Sequence, residues 1–267
     1  MDDVSSTALE LPPRMSDASP PTFPISPQEI SEIRRTRRHP RPWDSEYLHL
    51  RHLVRDLEGA LKALDGSVHD ILDVFCGTRP YEDLLPPDTR RVGLDVTSRY
   101  GVADVVTDEF LPFPDASFDL VICTQSLQYV PDPEAAVAEF RRVVRPGGAV
   151  LVTVPHVWEY DRAVLEHRFT EPVLAELFAA WDDIRIVENG GRAVTWTTIT
   201  GRMLGLAEWS IAQSSRLSRA AAPLFRGAHL LLNGFGMLLD RIERGIAHGS
   251  NTLPPNLLLT ARRPPGG

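Results

Sequence analysis

The sequence predicts an α/β fold, an open and mostly parallel sheet of seven strands with helices on both faces. Short apolar runs alternate with helical segments from residue 70 onward, which is typical of such sheets. The first run ends at a turn containing Gly77, and the second ends in Asp95. This order, a strand, a tight turn and then a strand with a terminal acid, is the arrangement that holds a nucleoside at the carboxyl edge of a sheet.

Each predicted element has a local signal. Tyr47 to Leu64 carries leucines at helical spacing. A helix over about 132–145 has Asp132 as its N-cap and Pro133 in its first turn, and Pro146-Gly147-Gly148 ends it. A further helix opens at Thr170. The remaining elements are a helix from about 80 and strands at 70–75, 91–95, 103–106, 119–124, 149–154, 184–188 and 256–261.

The organisation along the chain follows from composition. Residues 1–44 are read as a disordered tail, rich in Pro, Ser and Asp, followed by a basic linker at 34–41. Residues 45–191 form the core and 251–267 its last strand with a short tail. Residues 192–250, between the last two strands, are too many for a plain loop and are predicted to be a helical insertion.

Composition excludes several functions. The formal charge of −8 provides no global basic field, so nucleic acid is not an expected partner. Lys62, the only lysine, lies in an ordinary amphipathic stretch, which argues against Schiff-base chemistry. Cys76 and Cys123 are expected to be buried thiols, and no metal-type Cys/His cluster is present in the sequence. Because no signal peptide is evident, the expected location is cytoplasmic.

Three motifs occur together in this chain: Ile71–Tyr81, Leu111-Pro-Phe-Pro-Asp-Ala-Ser-Phe-Asp119 and the Pro146-Gly147-Gly148 turn. Through them, residues Ile71 to Pro155 resemble the catalytic domain of class I S-adenosylmethionine-dependent methyltransferases, in the small-molecule group called methyltransferase type 11. This resemblance implies a Rossmann-like sheet whose last strand is antiparallel. It also implies S-adenosylmethionine as cofactor and a small-molecule acceptor methylated on oxygen or nitrogen.

The resemblance also implies a set of cofactor contacts. Asp73 and the backbone from Phe75 to Gly77 would hold the methionine end, and Asp95 the ribose. Val96 would lie against the adenine, Asp108 would accept from its amine, and Gln125 would lie near the methyl donor. The family's Gly-x-Gly-x-Gly is replaced here by Phe75, Gly77 and Arg79. Arg79 would pair with the cofactor carboxylate or be an exposed surface residue.

The acceptor side should lie beyond the fourth and fifth strands. His156 is the first candidate for a general base, with a structural role bonded to backbone as the alternative, and Glu159 is a second candidate. Gln128, Tyr129 and His167 are candidates for acceptor binding, and Tyr129 is also a candidate core residue. A degenerate cofactor-binding scaffold and a nicotinamide-dependent oxidoreductase remain alternatives, although Arg79 and Pro80 break the pattern that the latter requires.

Residues 220–239 form the most apolar window, but Arg226, His229, Pro223 and three glycines interrupt it, which argues against a transmembrane helix. A cap over the acceptor pocket is the leading interpretation of the insertion. A weak membrane-surface or dimer contact is the alternative.

Overall fold

The computed structural model describes residues 25–64, 68–107, 111–160, 164–212, 218–246 and 252–266. Within these ranges a single seven-stranded sheet has the strand order β3-β2-β1-β4-β5-β7-β6. The strands are β1 Asp70–Val74, β2 Arg90–Asp95, β3 Val105–Val106, β4 Phe118–Thr124, β5 Val144–Pro155, β6 Asp182–Glu188 and β7 Asn256–Arg262. Strand β7 runs antiparallel to both of its neighbours, and the pairs among β1 to β5 are parallel. The predicted fold class is confirmed.

The helices are α1 Pro27–Arg38, α2 Tyr47–Ala63, α3 Pro133–Val143, α4 Glu171–Leu177, α5 Arg192–Ala212 and α6 Ser218–Ile246. One face of the sheet packs against α3 and α4, with Phe140 and Phe178 buried between them. The other face packs against the leucine stripe of α2. Both cysteines are free and buried, as the sequence predicts.

Two expectations about the elements are wrong. The helix expected from about residue 80 is only a 3-10 turn, Glu82–Leu84, because Pro80 and Pro86-Pro87 leave too few residues between them. The segment expected to be tail and linker contains α1, whose Ser26 and Glu29 form a reciprocal capping box with Pro27 in the first turn. Residues 1–24 lie outside the described residues.

Helices α5 and α6 form a hairpin between β6 and β7, so the predicted insertion is helical. The hairpin packs on α2 rather than on the sheet. Asn233 donates to the carbonyls of Pro42 and Asp44, and Nε2 of His52 lies 3.3 Å from the Asp240 carboxylate in a buried contact. The hairpin is therefore an outer layer. In the described ranges, no helix is both long and apolar enough to cross a membrane.

The two helices of the hairpin approach closely at Gly236. A β-carbon built there would lie 2.8 Å from Cγ2 of the buried Thr197, which is closer than real atoms come. Gly234, two residues earlier on the same helix, has open space at the same position. A substitution at Gly236 therefore tests the packing of the two helices, whereas the same substitution at Gly234 tests helix propensity alone.

We predict that Gly236→Ala lowers the free energy of unfolding by about 1–3 kcal/mol through overpacking. Gly234→Ala should instead raise it by up to about 1 kcal/mol, because alanine is the better helix former. Urea denaturation measures both values. Equal effects of the two changes would show that α5 and α6 do not pack as described.

Candidate functional site

The loop after β1 has an alternating left-handed backbone. Phe75, Gly77 and Arg79 have φ angles of 55°, 53° and 53°. These are the three positions where the related pattern has glycine, and each left-handed side-chain residue carries a strain of roughly 1–2 kcal/mol. The side chain of Phe75 packs against the main core cluster, so its bulk is accommodated there. The loop therefore keeps the left-handed backbone conformation typical of glycine, although Phe75 and Arg79 replace two of the glycines.

Asp95, at the tip of β2, holds this loop. The Gly77 amide donates to Oδ2 of Asp95 at 2.8 Å, and the Thr97 amide lies 3.3 Å from Oδ1. The side chain is buried, whereas the next residue, Val96, is 56% exposed. The structure therefore brings the predicted turn and the predicted ribose-binding acid into direct contact, with an apolar surface beside them.

Arg79 has neither of the roles expected from the sequence. Its guanidinium is buried and pairs with Asp104 at 3.1 Å and with Glu82 at 3.3 Å. It passes beneath β2 at Gly93, where a β-carbon would come within 3.2 Å of the guanidinium carbon. Gly93 lies inside a predicted strand, and a glycine at such a position indicates that another group approaches the backbone closely.

Asp73 lies within β1 directly before the loop. Burial, with the nearby charges of Glu82 and Asp95, raises the pKa of its carboxyl group to about 7, and Arg79 acts in the opposite direction. A carboxyl group in this state ionises readily when a cation comes near. The position that the resemblance assigns to the methionine end of a cationic cofactor therefore has suitable electrostatics.

Helix α1 packs over the same loop. Nε of Arg34 donates to the carbonyl oxygen of Thr78, and Arg38 pairs with Asp83 at 3.0 Å. Helix α1 was not predicted from the sequence, because the interpretation of residues 1–44 relied on their composition and did not use the capping box at Ser26 and Glu29. Asp108, the expected partner of the adenine amine, lies outside the described residues.

Gln125 follows β4 with a φ of 56°. Its side-chain amide donates to Oδ1 of Asn256 at 2.6 Å and to the Thr153 hydroxyl at 3.1 Å. Asn256 in turn donates to Asn189, which donates to Asp56. The donors of Gln125 are thus used within the protein, which makes it an anchor of the rim beside the loop. The polar Asn256 at the start of a buried strand was the available sequence signal.

The candidate acceptor residues meet beyond β4 and β5. The His167 amide donates to the Gln128 carbonyl at 2.7 Å, and Nδ1 of His156 lies 3.0 Å from the Phe169 carbonyl. Oε1 of Gln128 and Nε2 of His167 are both buried without a hydrogen-bond partner among the described residues. Tyr129 is 49% exposed, so it is not a core residue.

His167 and Phe169 also line a cavity of about 390 Å³ between the start of α3 and α4. This volume lies within the range of small-molecule sites. The cavity beside His167 makes this rim a candidate for acceptor binding.

Glu159 is exposed and forms an ion pair with Arg202, with Oε2 and Nη2 2.6 Å apart. The hydrogen bond from Arg202 lowers the pKa of Glu159. A carboxylate with a lowered pKa is a weaker base, so the geometry favours His156 over Glu159 in that role. Glu159 instead fastens the segment after β5 to α5.

Comparison with known proteins agrees with this geometry. Residues 85–152, from before β2 into β5, match the model of the methyltransferase domain family. Over this segment the chain is similar to methyltransferase domains. The matched segment begins after the Phe75–Arg79 loop, so the loop itself is outside it.

Two curated relatives and one solved structure are similar to this domain. The 2-methyl-6-phytyl-1,4-hydroquinone methyltransferase of Synechocystis sp. is 29% identical over 131 residues, covering 48% of this chain and 38% of that protein. The malonyl-[acyl-carrier protein] O-methyltransferase of Hahella chejuensis is 34% identical over 148 residues, covering 49% and 46%. The match thus spans less than half the length of either relative. The crystal structure of the [4+2]-cyclase SpnF has a TM-score of 0.51 and 25% identity, covering 80% of this chain and 82% of that one.

The raised pKa of Asp73 predicts a pH dependence of stability. Below about pH 4 the carboxyl group is protonated in both the folded and the unfolded state and contributes nothing. As the pH rises from about 4 to 7 the unfolded state ionises first, so the folded state loses up to about 4 kcal/mol, which persists at higher pH. Asp73→Asn should remove this loss, so its unfolding free energy relative to wild type should rise across that interval.

Urea denaturation of both proteins between pH 4 and 8 measures this difference. Asp182→Asn, at an exposed position of β6, is the matched control and should give a flat difference. A flat difference for Asp73→Asn would contradict the predicted ionisation.

Proposed function

We propose that this protein binds S-adenosylmethionine at the carboxyl edge of β1 and β2 and transfers its methyl group to an oxygen or nitrogen of a small molecule. The observation that carries this proposal is the left-handed loop at Phe75, Gly77 and Arg79, fixed to Asp95 through the Gly77 amide. The match of residues 85–152 to the methyltransferase domain family supports it.

The residues fit such a cofactor. A β-carbon at Gly77 would meet no atom within 4 Å, so the backbone there is open to a ligand. Asp73 is a buried acid suited to a cationic group, and Asp95 retains accepting capacity for hydroxyl groups beside its two amide donors. The exposed Val96 provides an apolar surface for a ring.

S-adenosylmethionine, when bound, supplies a methyl group that is already activated as a sulfonium. The residues of this chain must then align the acceptor and exclude water, and alignment alone is worth about 7–11 kcal/mol. The cavity lined by His167 and Phe169 offers the acceptor a place beside this rim. The relative from Hahella chejuensis is named an O-methyltransferase, which supports methyl transfer to oxygen.

His156 is proposed as the general base. The Phe169 carbonyl can only accept, so Nδ1 of His156 carries the proton of their hydrogen bond. In the neutral ring Nε2 is then the acceptor, able to take a proton from an acceptor hydroxyl. Such a base contributes about 10²- to 10⁴-fold.

A second candidate function is ring closure without methyl transfer. The similarity to the [4+2]-cyclase SpnF extends over 80% of this chain, and Phe75 and Arg79 depart from the usual loop sequence. Release of S-adenosylhomocysteine, tested with candidate phenolic and carboxylic acceptors, distinguishes the two functions. Binding of the cofactor without its turnover would favour the second.

We predict that Gly77→Ala weakens S-adenosylmethionine binding by more than about tenfold, because its β-carbon occupies the open approach to the loop. Gly147→Ala is the matched control. Gly147 also has a positive φ with open space, but it lies at the opposite edge of the sheet, before the main run of β5. Both changes should cost similar stability, and only the first should reduce affinity.

Isothermal titration calorimetry with S-adenosylmethionine, and with nicotinamide dinucleotides for comparison, measures this affinity. Equal affinities of the two variants would contradict the proposed site. Binding of the nicotinamide cofactor alone would favour an oxidoreductase.

We further predict that His156→Ala lowers turnover by about 10²-fold or more while cofactor affinity changes little, because the ring acts on the acceptor. Initial rates and calorimetry on the same preparation measure the two effects. His156→Asn, which keeps a donor for the Phe169 carbonyl, should be equally slow. Full activity of His156→Asn would reduce His156 to a structural role.

A further inference from the structure

The α5–α6 hairpin exposes an unusual amount of apolar surface. From α5 the exposed side chains are Trp196, Ile199, Met203 and Leu206. From α6 they are Leu224, Leu231, Phe235, Leu238, Ile242 and Ile246. These ten side chains, 45–76% exposed, are called the outer apolar face below. Together they expose on the order of 1,000 Å², more than the few hundred Å² usual on a monomer.

The two rows form one surface. The rings of Trp196 and Phe235 are in contact, with their centroids 6.1 Å apart. On α6 the exposed row recurs at spacings of three, four and seven residues, and so follows one side of the helix. The buried polar residues Asn233 and Asp240 lie on the other side, against residues 42–52. The hairpin therefore has an inner side that packs on the rest of the protein and an apolar outer side that is exposed.

The hairpin that carries this face has a net positive formal charge. Residues 192–250 contain seven arginines and three acids, a formal charge of +4 in a chain whose total is −8. Arg241 is exposed on α6 beside the apolar row, and Arg226 is exposed on the side of the helix away from that row. Three others, Arg192, Arg202 and Arg244, are paired with acids. Apolar helices with flanking arginines are typical of segments that lie in the surface of an anionic bilayer, where the arginines reach the headgroups.

We propose that the outer apolar face docks on an anionic lipid surface. The charge argues against a second copy of this chain as the occupant. A two-fold dimer would bring together two copies of a hairpin that carries a net positive formal charge. Anionic headgroups supply the complementary charge, and acyl chains accommodate the apolar side chains.

The docked hairpin would lie beside the rim of the candidate site. Arg202 of α5 pairs with Glu159 and lies 4.7 Å from the ring of Trp158, in the segment that follows His156. Docking would therefore bring the segment after β5 near the lipid surface. The proposal itself does not depend on methyl transfer.

Co-sedimentation of the full chain with vesicles tests the proposal. Binding to phosphatidylcholine vesicles containing phosphatidylglycerol should be at least about tenfold stronger than to phosphatidylcholine alone, and should weaken with salt. Leu231→Glu/Leu238→Glu should reduce binding by at least about tenfold. Val173→Glu/Val187→Glu, at exposed positions outside the hairpin, is the matched control and should bind like wild type.

Arg226→Gln/Arg241→Gln should reduce the preference for the anionic vesicles while leaving the fold intact. Equal binding to both vesicle types, no binding, or equal loss in the control variant would overturn the proposal. Sedimentation equilibrium supplies the other decisive result. A wild-type dimer that dissociates in Leu231→Glu/Leu238→Glu would identify a second copy as the occupant instead.

Discussion

The hydrogen bond from the Gly77 amide to the Asp95 carboxylate is the constraint on which the candidate site depends. It joins the turn after β1 to the tip of β2, and so fixes the loop relative to the neighbouring strand. The amide of Cys76 adds a second link by donating to the Leu94 carbonyl at 3.0 Å. A loop with three left-handed residues is strained, and it persists only when its surroundings determine it in this way.

Packing around the loop completes this restraint. Phe75 is held by the core, Arg79 by Asp104 and Glu82, and the Thr78 carbonyl by Arg34 of α1. The two substitutions that depart from the family pattern therefore have structural partners. This explains how Phe75 and Arg79 can occupy positions that usually require glycine.

The acceptor side is organised differently. There the rim is tied together by a chain of amide side chains from Gln125 through Asn256 and Asn189 to Asp56. This chain joins β4, β7, the end of β6 and α2, elements that are distant in sequence. The hairpin is fastened to the same region through Arg202, so its outer face and the rim belong to one connected part of the molecule.

Local sequence patterns were enough to predict the strands, most helices and the acids at strand tips, because periodicity, caps and breakers act over a few neighbouring residues. The same patterns also located Gly77 and Asp95 near each other, since parallel strands end at one edge. The partners of Arg79, the hydrogen bonds of Gln125, the ion pair of Glu159 and the position of α1 over the loop could be found only in the folded chain. Those features depend on contacts between residues far apart in the chain, such as Arg34 with Thr78 and Gln125 with Asn256, which local patterns do not encode.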